Sequence, residues 1–247
     1  MDSTATAIAT ARPLGTVGSS FYFAPQSVER GEAIGLDVIA FYAAGRAGVI
    51  GDRPVDEVDS IFFFFKSGLV AAMVETSRTI ASREVAVAAH IEAADAYAAA
   101  ALAGVPVDVL ERFTDATYAL VDTLPMGRWP IVDGYRSLGR RDDAVSDAYR
   151  AAILLRELRG GLHTEIVQSS GLTAAAACQL DQGGAYFALH GYNDDDRVEE
   201  TAEVLAARSG IEDATDAAMA EILETLTATQ RGDLVTGVEA MLVAVTG

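Results

Sequence analysis

Lysine is almost missing. Of 18 basic residues only Lys66 is a lysine, against 36 Asp and Glu, and the formal net charge is −18. A charge this negative opposes a phosphate backbone unless the basic residues gather on one face. Cysteine occurs once, as Cys178, which excludes an internal disulfide and a multi-cysteine metal site. Histidine occurs three times, and the residues three before His90, His163 and His190 are Val87, Gly160 and Phe187. Neither Glu-x-x-His nor His-Glu-x-x-His is present, so the spacing predicts no metal. Long apolar runs are absent too. The longest stretch without a charged residue or His, Pro13 to Val28, contains two Pro and two Gly. It falls short of the ~20 apolar residues of a membrane-spanning helix. The Met-Asp-Ser-Thr start lacks the basic stretch of a secretory signal, so the expectation is a cytoplasmic protein with no membrane partner.

What is present is a chain of 247 residues, 51% hydrophobic and rich in alanine, long enough to bury a core without staples. Apolar residues recur at helical spacing, and no run alternates as a strand would. Val107, Leu110, Thr114, Thr117, Val121 and Leu124 predict a helix opened by Pro106, which pairs with an Ala-rich helix over 81–103. A helix over 142–159 starts on Asp142, Asp143 and Asp147 and closes on Arg156 and Arg159, with Gly160-Gly161 as its stop. Thr173 caps a short helix reaching Leu180, and further helices are expected over 194–208, 213–229 and 232–245. The early chain reads as shorter helices around 14–23, 25–34, 35–46 and 54–75. The first dozen residues read as a tail. The expectation is all-α, about ten helices in two packed halves: a domain over 13–124, a connecting loop over 125–141, and a second domain over 142–247.

Candidate chemistry concentrates in few places. Arg156-Glu157-Leu158-Arg159-Gly160-Gly161-Leu162-His163 puts two guanidiniums, a carboxylate and an imidazole beside two glycines. That set suits a carboxylate or phosphate ligand. Equally, Arg156 and Arg159 can cap their own helix and pair with acids. Gly45-Arg46-Ala47-Gly48-Val49-Ile50-Gly51 is neither a dinucleotide fingerprint nor a phosphate loop. Its glycines end one helix and let another pack closely, and Arg46 must find a partner, water or a ligand anion if buried. Phe62–Phe65 cannot turn all its rings to one helix face and must be surrounded by protein or line a cavity or subunit interface. Tyr22, Phe23, Phe41 and Tyr42 are candidates for the same aromatic cluster. His90 reads as a packing or surface histidine and Cys178 as a small buried hydrophobe. No Gly-x-Ser-x-Gly elbow supports nucleophilic catalysis.

Several segments together resemble an actinobacterial family of helical, helix-turn-helix-like proteins. They are Phe21-Tyr-Phe-Ala-Pro25, Gly35-Leu-Asp, Phe41-Tyr-Ala-Ala-Gly-Arg-Ala47, Phe62–Phe65, Leu154 through His163, and Gly171-Leu172. The resemblance covers most of residues 15–192 and implies a C-terminal part like a degenerate winged helix, with no particular activity attached. Departures are visible: Tyr192 stands where the family has Trp, Leu158 where it often has His, and the wing shrinks to Gly210–Asp213. Arg156, Glu157, Arg159 and His163 fit the pattern.

Charge decides how that resemblance is read. From His190 to Leu226 there are 11 acids and only two bases, Arg197 and Arg208. A recognition helix so charged repels phosphates. The leading expectation is therefore a helix-turn-helix-derived protein that does not bind nucleic acid. It holds a small anionic or aromatic ligand between its halves, through Tyr22, Arg46, Arg156, Glu157, Arg159 and His163. An enzyme using the same pocket, with His163 as general acid or base, and a DNA-binding regulator are the alternatives. The cofactor is unknown, and a homodimer through Phe62–Phe65 or the last helices fits the pattern.

Overall fold

The computed structural model describes residues 1–181 and 186–247, and among these no strand occurs. The helices are α1 (Ser3–Ser19), α2 (Pro25–Ala33), α3 (Val38–Gly48), α4 (Val55–Ile61), α5 (Leu69–Arg78), α6 (Arg83–Ala101), α7 (Val107–Val121), α8 (Pro130–Ser137) and α9 (Ala144–Ser169). They continue with α10 (Ala174–Leu180), α11 (Ala202–Ser209), α12 (Ile211–Leu223) and α13 (Ala228–Thr246), with a 3-10 turn at Asp194–Asp196 before α11. Starts follow local chemistry. Asp37, Ser82, Asp143, Thr173 and Thr201 each accept a backbone N–H of their helix's first turn, and Thr227 with Gln230 forms a reciprocal capping box. Thr173 and Leu180 bound α10 as their residue types suggest.

Several segments differ from the sequence expectation. The first dozen residues are not a tail. Asp2 caps α1, and Thr6, Ala7 and Thr10 are buried in the core. Their side chains are small, so no bulky apolar stripe marks them. The hydroxyls of Thr6 and Thr10 donate to the helix's own carbonyls of Asp2 and Thr6, at 2.7 and 2.9 Å, which removes the cost of burial. Gly160-Gly161 does not stop α9, which runs on to Ser169. Gly161 is there because Trp129 packs on it: a Cβ would lie 2.5 Å from the indole Cδ1. The stretch 54–75 breaks into α4 and α5 at Phe62–Gly68, where Gly68 adopts φ +78°. The expected helix over 194–208 is likewise a 3-10 turn, an extended stretch and the short α11.

The core centres on α9, which packs against α1, α6, α7, α8 and α12, while α1 and α7 also pack on α13. One apolar cluster extends from Ala7, Leu14 and Val17 through Leu110, Phe113 and Ile153 to Leu234, Val238 and Met241, so it draws on both expected segments. The segment 125–141, expected as a loop, contains α8, with Ile131, Val132 and Tyr135 buried. Glycines let α3 approach α6: a Cβ on Gly45 would sit 2.5 Å from the His90 ring, and one on Gly48 2.6 Å from Val87. No described helix is long and apolar enough to cross a membrane.

Candidate functional site

α9 carries the acid around which the site forms. Glu157 is 3% exposed, and a lone carboxylate there would be costly. Arg46, from the last turn of α3, meets it bidentately, Nε to Oε1 at 3.1 Å and Nη2 to Oε2 at 2.8 Å. Tyr22, in the turn after α1, donates its hydroxyl to Oε1 at 3.1 Å. Arg156 Nη1 donates to the same Oε1 and, at 3.3 Å, to the Tyr22 oxygen. Gly18 on α1 makes room for the Arg156 stem, since a Cβ there would lie 2.8 Å from Arg156 Cδ.

The electrostatics follow from these contacts. Burial alone would raise the Glu157 pKa, but Arg46 and Arg156 outweigh it and hold it at about 2. Burial disfavours the Arg46 charge, yet Glu157 more than restores it, and the guanidinium is held above its ordinary value. Burial raises the Tyr22 phenol far above its usual value, so it stays a donor. Two guanidiniums against one carboxylate leave a formal charge of +1. Arg46 and Arg156 keep 14% and 24% of their side chains exposed.

Aromatic rings surround this set. The Tyr22 ring lies 4.9 Å from that of Tyr42, and Phe23 stacks on Tyr42 at 5.7 Å. Tyr42 continues to Phe65 at 6.3 Å, and Phe65 to His190 at 4.3 Å. The Arg46 guanidinium sits 5.1 Å over Phe62, and that of Arg156 5.3 Å over Tyr22. Phe62–Phe65 therefore serves two places: Phe62 and Phe65 face the Arg46 set, while Phe63 and Phe64 pack with Val167 and Ile211.

His90 lies behind Tyr22, 1% exposed, its ring 5.0 Å from Phe21 and its Nε2 3.0 Å from the Tyr135 hydroxyl. Burial, aided by Arg46 and Arg150, pulls its pKa down to about 3, so it is neutral. Cys178 Sγ lies 3.1 Å from His190 Nδ1. Burial and nearby Asp181 push the thiol up to about 11, and burial with Arg46 pulls His190 down to about 4. The pair is a neutral thiol and a neutral imidazole, which does not make an activated nucleophile.

Arg159 and His163 belong to a second group. Arg159 Nη2 binds Asp216 at 2.9 Å and Glu212 at 3.2 Å. The His163 ring stacks on Phe64 at 5.7 Å, and its Nδ1 lies 3.1 Å from Thr215 Oγ1. Thr215 donates its own hydroxyl hydrogen to Ile211 O at 2.8 Å, so His163 carries its proton on Nδ1 and donates to Thr215. Burial lowers its pKa. Of the residues singled out in the sequence, Tyr22, Arg46, Arg156 and Glu157 thus meet, and Arg159 and His163 meet one another against α12. Tyr42 was missed as a site residue, although it precedes Arg46 by one helical turn and accepts from its Nη1 at 2.9 Å. That four-residue spacing on a helix was the available signal.

The acidic run lies largely on the surface. Asp194, Asp195, Glu199, Glu200, Glu203, Asp213, Glu221 and Glu224 are exposed. Both bases of the stretch are engaged, Arg197 by Asp194 at 2.9 Å and Arg208 by Glu212 at 3.2 Å. Residues 7–247 match the helix-turn-helix family. No curated protein and no solved structure matches the chain.

Proposed function

The chain belongs to the helix-turn-helix family, and from that premise we propose that it binds a small aromatic anion in place of DNA. The observation that carries this reading is the surplus guanidinium of Arg156. Glu157 needs one bidentate partner and has it in Arg46, while Arg156 adds a second charge, partly open to solvent, beside the rings of Tyr22 and Tyr42. A carboxylate or phosphate of the ligand pairs with Arg156, and its ring stacks on the exposed side of Phe23 and Tyr42. The binding residues come from the turn after α1 and from α3 on one side and from α9 on the other.

DNA binding is disfavoured because the region after Gly191, read as a degenerate winged helix with its wing cut down, presents exposed acids and no unengaged base. His163 is not the acid or base of this site, since it lies with Arg159 against α12. A thermal-shift series with benzoate, cinnamate and phenyl phosphate, and with benzamide as the neutral control, tests the reading. Stabilisation by the anions and not by benzamide supports it, and equal silence from all four removes it.

A further inference from the structure

A second cationic site lies on the other side of the His90–Tyr135 pair, in residues the site above does not use. Arg150, on α9, is 2% exposed, and it forms no ion pair among the described residues. Its guanidinium lies 5.9 Å from the Tyr135 ring centre, and Nη1 donates weakly to Gly139 O at 3.3 Å. Nη2 is buried, and among the described residues no acceptor reaches it. Arginine does not shed this proton in proteins, so the charge remains and must be met. Burial draws its pKa below the ordinary value, while Asp95 partly offsets this from a distance.

Arg141 sits beside it. Asp95 holds its Nη2, but its Nε is also buried without an acceptor among the described residues. Arg141 and Arg150 line one cavity of about 470 Å³ between α3, α6, α8 and α9. Nearby charges cancel in pairs: Arg83 with Glu84 at 2.8 Å, Glu92 with Arg30 at 3.3 Å, Arg141 with Asp95. Arg150 alone is left over. The remaining wall is apolar, with Val87, Ile91 and Leu138. The volume falls within the roughly 300–1,000 Å³ of small-molecule sites.

We propose that this cavity binds a small organic anion, a carboxylate or phosphate monoester with an apolar body of several carbons. The head pairs with the guanidiniums of Arg150 and Arg141, and the body lies on Val87, Ile91 and Leu138. Both side chains line the same cavity, so a head with two or more acceptor oxygens suits the pair. The site is independent of the Arg156 face.

The test is calorimetric titration of the full chain with octanoate, hexyl phosphate, inorganic phosphate and neutral hexanol. Saturable binding of octanoate or hexyl phosphate is expected, and the stronger of the two identifies the head group. Hexanol is expected not to bind. Arg150→Met, which replaces an unpaired buried charge with an apolar chain of similar reach, is expected to weaken binding by at least about tenfold without loss of thermal stability. Ala88→Trp, an exposed position on the cavity wall, is expected to block binding while leaving the core untouched. Arg112→Gln, on the exposed surface of α7, is expected to leave it unchanged. Absence of binding by both organic anions overturns the proposal, as does equal affinity in wild type, Arg150→Met and Ala88→Trp.

Discussion

Arg46 and Glu157 are 111 residues apart in sequence and share a bidentate ion pair, at 3.1 and 2.8 Å, with the carboxylate almost wholly buried. The pair joins α3 to α9. It also leaves Arg156, the next residue along α9, with a charge that Glu157 does not fully need.

Removing one partner of such a pair exposes the other as an uncompensated buried charge. Glu157→Gln leaves both Arg46 and Arg156 without an anion, and a loss of about 3–5 kcal/mol is expected. Arg156→Gln keeps the Arg46–Glu157 pair and is expected to cost much less. Urea unfolding of the two variants checks the order, and a larger loss in Arg156→Gln contradicts it.

The pH dependence has a definite sign. Glu157 has a folded pKa of about 2, below the usual carboxylate value of 4.5, so its contribution is present above about pH 4.5 and is lost as pH falls towards 2. His90 has a folded pKa of about 3, below the usual 6.5, so the unfolded chain protonates first and stability falls as pH drops from about 6.5 to 3. The two effects act in the same direction, each by up to about 1.4 kcal/mol per pH unit. Imidazole chemical shifts are expected to show His90 still neutral at about pH 4.5, two units below its ordinary midpoint. A charged His90 there contradicts the account.

Gly160 and Gly161 look alike in sequence and should differ in tolerance. Both lie inside α9, where alanine is favoured by about 0.5–1 kcal/mol over glycine. A Cβ on Gly160 meets nothing within 4 Å, so Gly160→Ala is expected to raise the melting temperature. A Cβ on Gly161 strikes Trp129, so Gly161→Ala is expected to lower it and to shift tryptophan fluorescence. Equal effects, or a raised melting temperature in Gly161→Ala, would show that Trp129 is not packed as described.

This pair of glycines shows where local reading ends. Caps are local, so Thr173 was legible as a type, a short polar side chain placed before a helical pattern, whereas Thr227 fell inside the helix expected over 213–229 and caps α13 instead. What a glycine does depends on whatever arrives from elsewhere, here Trp129 from 32 residues away. The same holds for α1, whose Ala and Thr residues carry no bulky stripe and become core because α9, α12 and α13 pack on that helix. At the site, the arginine-rich stretch was visible, but its division was not. Arg156 turns towards Tyr22, and Arg159 and His163 turn towards acids on α12, a sorting made by the partners. Arg150 was not singled out in the sequence, because burial of its charge has no local signature.

Cys178 offers a chemical check. With its thiol pushed up to about 11 and its side chain buried, it is expected to react with disulfide reagents far more slowly than a free thiol at neutral pH. Unfolding in urea should restore the ordinary rate. Rapid labelling of the native protein would mean that His190 activates it.

Central to the account is the claim that Arg156 is held ready for a ligand anion, and calorimetric titration with cinnamate at low and moderate salt tests it most directly. Saturable binding is predicted, weakened by about tenfold or more in Arg156→Gln and in Tyr42→Leu, with no affinity for duplex DNA at about 50 mM salt. Equal cinnamate affinity in wild type and Arg156→Gln, or salt-sensitive binding of duplex DNA in its place, would contradict it.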